Sequence, residues 1–561
     1  MNTCLGSLII EELVSLGVTD FCISPGSRST PLTQAIALNP KTKKYIFIDE
    51  RSSAFFALGL SKATGRATAI VTTSGTAISN GFPALIEASE SCVPLLFISS
   101  DRPPELRRSG ANQTIDQVKL FSDKVRFFAD ISPDVNHNYP NTIRSTLSEA
   151  IYHSSKAENK GPVHLNIMFR EPFSHPKKSV FSSDTPFLLW EEPQRKLSLK
   201  QRAFLIQLLS KAQNPLLIIG NIQENEEQNA ALNIAHQLNW PTIVDVSSGM
   251  SLFKIKNKIS AFHLISEIDS VKHLLNFDLV LHLGGNTVIK NIHQRFKFKQ
   301  YIQIDLRTKQ HQPISSKMTR FSINISALTE ITFSPLKNTP IKEVIKISEQ
   351  CSKKINTLGI FSDFSVVSLL LSHLKPNHLL FISNSLPIRI VNRLHCNSST
   401  KTTSNRGASG IDGTVSSALG WITGTKYHSP DKKGVLLIGD LSFWHELGAL
   451  LHYQNEDLLI ILLNNGGGGI FHFLPIAKQS SLLTKYFATH HQHSFYKIAE
   501  SMGCEAIQVH SESEFEEALQ KLLPQNNLRL IEIITAPQNS VDHNESYKLL
   551  LQQHLDALVS S

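Results

Sequence analysis

Two apolar runs of strand length, V-L-L-I and L-L-I-I-L-L, end in G-D-L and N-N-G-G-G-G, with an amphipathic stretch between them. This pattern between residues 435 and 471 restricts the fold more than any other part of the chain. Strand, helix and strand in succession make a βαβ unit, with residues 442–454 supplying about four helical turns. The two strands of such a unit run parallel, so their C-terminal ends lie side by side. Asp440 ends the first and Asn464-Asn465 end the second. Neighbouring strands about 4.8 Å apart bring a carboxylate and an amide oxygen to one small ion. That donor pair suits Mg²⁺, which takes its remaining oxygens from water and from a ligand's phosphates. The glycine run 466–469 then leaves backbone room for a phosphate and lets a main-chain carbonyl turn toward the metal. The plain alternative is a strand-end Asp followed by a glycine turn.

The rest of the chain describes a large α/β protein. Its 561 residues exceed what one core supports and predict three domains. The first block, 1–185, alternates helix and strand: helix 5–16, strands 20–23 and 45–48, helix 54–63, strands 67–72 and 94–99. A Pro-, Ser- and Lys-rich linker at 171–185 closes it. The second block, 186–345, has strands at 215–219, 242–246, 279–283 and 301–304. The third, 346–561, holds the strand 379–382 and the motif above. This order predicts three doubly wound domains with mostly parallel sheets. In the middle block, H-L-G-G-N-T follows a strand but lacks a full G-x-G-x-x-G, so it reads as a structural turn.

Composition excludes several classes. No apolar run approaches the roughly 20 residues of a membrane helix, and Glu11 and Glu12 interrupt the N-terminal apolar stretch, so neither export nor a membrane span is expected. The six cysteines lack C-x-x-C spacing, which argues for a reducing, cytoplasmic setting and against zinc. The formal charge is +8, and the arginines sit singly in Gly- and Ser-rich turns rather than in a basic stripe with aromatics, which points to small anions rather than nucleic acid. His490, His491 and His493 lack helical metal-ligand spacing and read as a solvated loop.

The first block carries further chemistry. F-C-I-S-P-G-S-R-S-T-P-L, residues 21–32, is a strand, a Pro-Gly turn and a helix start, where free amides and Arg28 converge on an anion site. A Ser-capped helix with a surface Arg remains the alternative. D-E-R-S-S-A-F-F-A-L-G-L places Glu50 at a strand end ahead of an apolar helix. Partial burial there raises a carboxyl pKa and suits a Glu that shares a proton; an acid placed to meet the helix dipole is the alternative. T-S-G-T-A begins at Thr73, and in D-R-P-P-E-L two prolines stiffen the backbone behind Arg102, holding it for a carboxylate.

The segment around Asp440 resembles the thiamine-diphosphate motif G-D-G, a spacer of some two dozen residues, then N-N; its third residue here is Leu441. S-P-G-S-R-S-T-P-L, D-E-R-S, T-S-G-T-A, D-R-P-P-E-L, G-A-N-Q-T-I-D-Q, G-P-V-H-L-N, S-N-R-G-A-S-G-I-D-G, G-D-L-S-F and G-G-I-F-H-F-L-P, in this order along nearly the whole chain, resemble one family of thiamine-diphosphate enzymes. That family is the 2-succinyl-5-enolpyruvyl-6-hydroxy-3-cyclohexene-1-carboxylate synthases of menaquinone biosynthesis.

The resemblance implies a transferase that decarboxylates 2-oxoglutarate and adds the succinyl carbanion equivalent to isochorismate, with thiamine diphosphate and Mg²⁺, or Mn²⁺ as a substitute. By position, Asp440, Asn465 and the Gly467 carbonyl hold the metal, and Glu50 meets the aminopyrimidine. Ser74, Gly75, Gly439, Leu441 and Ile470 complete the cofactor contacts, with Ile411 as the wedge that bends it. Arg28, Arg102, Lys290, Arg389 and Arg406 bind the dicarboxylate substrates beside Ser27, Asn112, Gln113 and Ser385. Phe471 and Leu474 match pocket residues, although Leu474 also reads as ordinary core. The family shares each active site between subunits, which implies a homodimer or homotetramer. An acetolactate-synthase-like carboligase and a non-enzymatic nucleotide-binding protein are the alternatives.

Overall fold

The computed structural model describes residues 2–132, 139–173, 185–193, 195–307, 317–333, 335–336, 339, 341–452 and 456–560. Most of the expected linker 171–185 lies outside them. Three parallel sheets follow one another along the chain. The first has six strands: β1 (Asp20–Ile23), β2 (Lys43–Ile46), β3 (Thr68–Thr72), β4 (Leu95–Asp101), β5 (Phe128–Ile131) and β6 (Pro162–Met168), in the order β2-β1-β3-β4-β6-β5. The second has five: β7 (Pro215–Ile219), β8 (Thr242–Val244), β9 (Asn276–Leu283), β10 (Lys297–Ile304) and β11 (Thr319–Phe321), in the order β11-β10-β9-β7-β8. The third has six: β12 (His378–Ile382), β13 (Lys401–Thr403), β14 (Lys433–Gly439), β15 (Leu458–Asn464), β16 (Glu505–Val509) and β17 (Leu528–Ile534), in the order β13-β12-β14-β15-β17-β16. Every pairing between these strands is parallel. Central strands such as β3, β7, β12 and β15 are buried along their whole length, which is why they read as unbroken apolar runs.

By packing, the chain divides into two compact units: Met1–Pro193 with Asn405–Asp431, and Gln194–Ser404 with Lys432–Ser561. In the first unit the helices Glu50–Thr64 and Thr414–Lys426 cross closely through glycines. A Cβ on Gly59 would lie 2.2 Å from the Ser417 carbonyl oxygen, and one on Gly420 would lie 2.0 Å from that of Phe56. In the second unit one continuous apolar cluster joins the cores of the second and third sheets.

Strand order reverses in each sheet between two neighbours, and the loops after those strands part to leave a crevice where α/β proteins place ligands. In the first sheet these are β1 and β3, followed by the segments holding Arg28 and Ser74. In the third they are β12 and β14, followed by Ser385 and Asp440. In the second they are β7 and β9, and here the backbone closes the space. Gly285 N–H donates to the Asn221 carbonyl at 2.9 Å, and a Cβ on Gly220 would lie 2.0 Å from the Gly285 carbonyl oxygen. H-L-G-G-N-T is thus a packed turn.

Two local expectations are corrected. The strand expected at 45–48 is Lys43–Ile46: Phe47 N–H bonds the Ile23 carbonyl at 3.0 Å, where β1 ends, and Ile48 turns outward at 84 % exposure. The helix expected over 442–454 is a short α-helix, Asp440–Trp444, and then a 3-10 turn, Leu447–His452. The break falls at His445–Glu446, and residues 453–455 lie outside the described part. Within the glycine run, residues 467–469 lie close to protein neighbours. A Cβ on Gly467 would meet the Ala488 carbonyl oxygen at 2.1 Å, and one on Gly469 would meet Asn465 Nδ2 at 2.6 Å, so these glycines answer to protein neighbours.

Candidate active site

In the third sheet, Gly439 pairs with Leu463 across β14 and β15, so Asp440 and the Asn464-Asn465 pair leave adjacent strand ends. Asp440 is 3 % exposed. Its Oδ1 accepts from Leu441 N–H at 2.7 Å, and its Oδ2 accepts from Gly467 N–H at 2.8 Å. Gly467 has a φ of 141°, open only to glycine. Asn464 turns away from this cluster: its Nδ2 donates to the fully buried Glu532 at 2.7 Å, and Glu532 also accepts from Phe495 and Tyr496 N–H and from Gln508.

Asn465 turns toward it. Its Nδ2 donates to Asp363 Oδ2 at 3.0 Å, while Oδ1 is buried without a hydrogen-bond partner. A buried amide oxygen with no donor is costly, and a cation is one way to satisfy it. One carboxylate, one orphaned amide oxygen and the carbonyls of a glycine turn form a hard-oxygen donor set that fits Mg²⁺.

Two members of this cluster were not legible beforehand. Asp363, at the first turn of the helix Asp363–His373, resembles any helix-start acid, yet it is fully buried, and burial followed by the nearby Asp440 charge raises its pKa. His491 corrects the solvated-loop reading. Its side chain is 3 % exposed, and Nε2 lies 3.3 Å from Asp440 Oδ2. The loop folds back because its backbone bonds the motif: His491 N–H donates to the Gly466 carbonyl, and Gly468 N–H to that of Ala488. Trp444 and Phe495 enclose the ring.

The cations of the same unit sit apart from that cluster in sequence. Ser385 holds a left-handed φ of 70°, rare for a residue with a side chain, and its carbonyl accepts from Arg389. Lys290 is exposed beside Asn291. Ile470 packs partly on the core, Phe471 stacks edge-on against Phe487, and Leu474 is exposed rather than core.

In the first unit, Arg28 is buried, which removes the surface-Arg alternative. It donates to the Phe169 carbonyl at 2.9 Å and to Glu171 at 2.8 Å. Arg102 is also buried; burial and then the Arg28 charge lower its pKa, so the two guanidinium groups share one field. Its Nη1 donates to Ser74 Oγ and to the Gln113 carbonyl at 2.6 Å. Gly75 N–H donates to the buried Gln117 at 3.0 Å, tying T-S-G-T-A to the same loop. Ser27, Asn112 and Gln113 are exposed. Glu50 is half-buried at the start of its helix, which Asp49 caps, and accepts from Asn80 Nδ2 at 3.0 Å.

The loop 405–413, bearing Arg406 and Ile411, is held by residues the sequence did not single out. Glu87 accepts from Gly407 N–H at 2.8 Å, Ala408 N–H at 2.7 Å and Ser409 N–H at 3.4 Å, and pairs with Lys62 at 3.7 Å. Lys62 in turn donates to Asn405 Oδ1 at 2.7 Å. Arg406 is half-buried and Ile411 is 42 % exposed.

Residues 4–120 match the family described as thiamine pyrophosphate enzyme, N-terminal TPP binding domain; residues 178–382 match the middle domain of thiamine pyrophosphate, and 390–533 the C-terminal TPP binding domain. The chain is 34 % identical to the 2-succinyl-5-enolpyruvyl-6-hydroxy-3-cyclohexene-1-carboxylate synthase of Pelodictyon phaeoclathratiforme, covering 92 % of this chain and 90 % of that one. It is 35 % identical to the Chlorobium chlorochromatii synthase, covering 98 % of each. This chain belongs to that synthase family. Its thiamine-enzyme fold is shared more widely: the thiamine diphosphate-dependent 4-hydroxybenzoylformate decarboxylase of Rhodococcus jostii RHA1 superposes with a TM-score of 0.72 at 18 % identity, over 95 % of this chain and 99 % of that one. As a synthase-family member, the chain is a thiamine-pyrophosphate-dependent enzyme. No described helix is long and apolar enough to cross a membrane.

Proposed function

We propose that this synthase-family chain uses thiamine diphosphate and Mg²⁺ to decarboxylate 2-oxoglutarate and add the succinyl unit to isochorismate. The products are 2-succinyl-5-enolpyruvyl-6-hydroxy-3-cyclohexene-1-carboxylate and CO₂, in cytoplasmic menaquinone biosynthesis. The observation that carries the metal half is the orphaned Asn465 Oδ1 beside buried Asp440. Asp440, Asn465 and the Gly467 carbonyl hold the ion, and Gly439, Leu441 and Ile470 contact the cofactor. When bound, the cofactor supplies a nucleophilic carbon and an electron sink for loss of CO₂. Glu50, helped by its Asn80 contact, holds a proton at the far end of the cofactor, where Ser74, Gly75 and Ile411 make further contacts.

Both substrates are dicarboxylates, which call for several fixed cations. Arg28, Arg102, Lys290, Arg389 and Arg406 orient them with Ser27, Asn112, Gln113 and Ser385; Phe471 and Leu474 exclude water. Each good Arg–carboxylate contact contributes about 1.5 to 3 kcal/mol. Residues 1–185, 186–345 and 346–561 act as pyrimidine-binding, central and diphosphate-binding domains, and a homodimer is the smallest unit that shares its sites.

The test is CO₂ release from 2-oxoglutarate against pyruvate, with isochorismate as acceptor. Preference for 2-oxoglutarate with the succinylated product supports the proposal. Preference for pyruvate indicates an acetolactate-type carboligase, and no turnover with tight nucleotide binding indicates a non-enzymatic protein.

A further inference from the structure

We propose that Asp363 is a positioning residue that turns the Asn465 amide so that its oxygen, not its nitrogen, faces the ion. This rests on the reading of Asp440, Asn465 and Gly467 as the Mg²⁺ site. Asp363 Oδ2 accepts from Asn465 Nδ2 at 3.0 Å, and Oδ1 accepts from Thr535 Oγ1 at 2.6 Å. Its own N–H donates to Ser540 Oγ at 3.2 Å, and a Ser362–Ser365 capping box sets the helix start that carries it. Every one of these partners fixes the carboxylate in place.

Both Asp363 oxygens accept, from Asn465 and from Thr535, so the carboxyl group selects the NH₂ side of the facing amide. The amide turned half-way round would set Oδ1 against a carboxylate oxygen and aim two N–H groups at the cation. Gly469 lies close to the same amide: a Cβ there would sit 2.6 Å from Nδ2, so only glycine leaves the Asn465 amide its place. Asp363 thus acts on the metal through Asn465. Such outer partners typically govern metal affinity by 10- to 100-fold.

The test is a charge-swap cycle on the full-length protein, reading Mn²⁺ affinity by the paramagnetic resonance of free Mn²⁺ in the presence of thiamine diphosphate, with circular dichroism as a check on folding. Asp363→Asn is expected to weaken Mn²⁺ at least tenfold, because the amide pair no longer has a fixed sense. Adding Asn465→Asp in that background should restore affinity to within about threefold of the parent, since a carboxylate ligand has no wrong way round and accepts from the introduced amide. Asn465→Asp alone should give no such gain.

Parental affinity in Asp363→Asn would overturn the proposal. So would an equal gain from Asn465→Asp in both backgrounds, which would be charge alone. If Asp363→Asn does not fold, a folded double variant that binds supports the assignment and one that does not bind refutes it. Asp440→Ala separates the two levels: retained Mn²⁺ affinity there refutes the metal site itself, whereas loss there with retention in Asp363→Asn refutes only the role of Asp363.

Discussion

Replacing Glu87 by Ala removes the acceptor that holds the loop 405–413. In the parent, Glu87 and Lys62 side chains are 3 % and 4 % exposed, and one carboxylate serves three consecutive backbone N–H groups and the ammonium. Breaking a buried ion pair from one side costs about 3–5 kcal/mol, because the remaining charge stays desolvated. Burial already lowers the Lys62 pKa and Glu87 opposes that, so Glu87→Ala lowers it further. A folded-state pKa below the unfolded one means that the unfolded chain holds more protons between the two, and stability rises with pH across that interval. The penalty is therefore complete below the folded-state pKa of Lys62 and shrinks as pH rises through it.

Because a chain of this size need not unfold in one step, the assay is local: hydrogen exchange at residues 407–409. At about 1.4 kcal/mol per decade, a local loss of 3 kcal/mol or more speeds exchange by about a hundredfold. Pairing Glu87→Met with Lys62→Met removes the stranded charge but not the missing acceptor, so thermal stability should recover while exchange stays fast. Unchanged protection at 407–409 in Glu87→Ala would refute the reasoning.

Glu50→Gln should abolish turnover while thiamine diphosphate still binds by titration; full activity would contradict its proposed role. Gly59→Leu should destabilise by about 1–3 kcal/mol or more through overpacking, since its Cβ would lie 2.2 Å from the Ser417 carbonyl oxygen, whereas Gly448→Ala, with nothing within 4 Å, should leave the melting temperature unchanged. His164, fully buried among Phe97, Phe121 and Phe128, has its pKa lowered by burial to about 3, and its Nδ1 has no partner. The unfolded imidazole protonates near pH 6.5. The stability it contributes as a neutral ring is thus complete above that pH and is lost as pH falls toward 3, at up to about 1.4 kcal/mol per unit. Acid unfolding of His164→Gln, compared with the parent, should show a shallower loss across that window.

Periodicity and strand ends were sufficient for much of the fold. Continuous apolar runs marked β1 and β7 to the residue, because a strand buried on both faces has no polar side to blur its limits. Helical continuity was harder to read: residues 442–454 carry an amphipathic pattern, but the α-helix stops at Trp444 and resumes only as a 3-10 turn. The metal cluster was half legible. Asp440 and Asn465 announce themselves by following adjacent strands, whereas Asp363 and His491 arrive from distant segments and resemble a helix-start acid and a surface loop.

What the sequence determined by itself was the set of chemistry-bearing strand ends, since parallel strands must place their C-termini together and only certain residues there suit a diphosphate and a cation. What tertiary structure decided was the state of each group: which amide of Asn464-Asn465 faces the cluster, why Arg28 is buried, and how Glu87 holds the loop bearing Arg406. Burial, hydrogen-bond direction and unsatisfied atoms depend on neighbours tens to hundreds of residues away, and no local pattern encodes them.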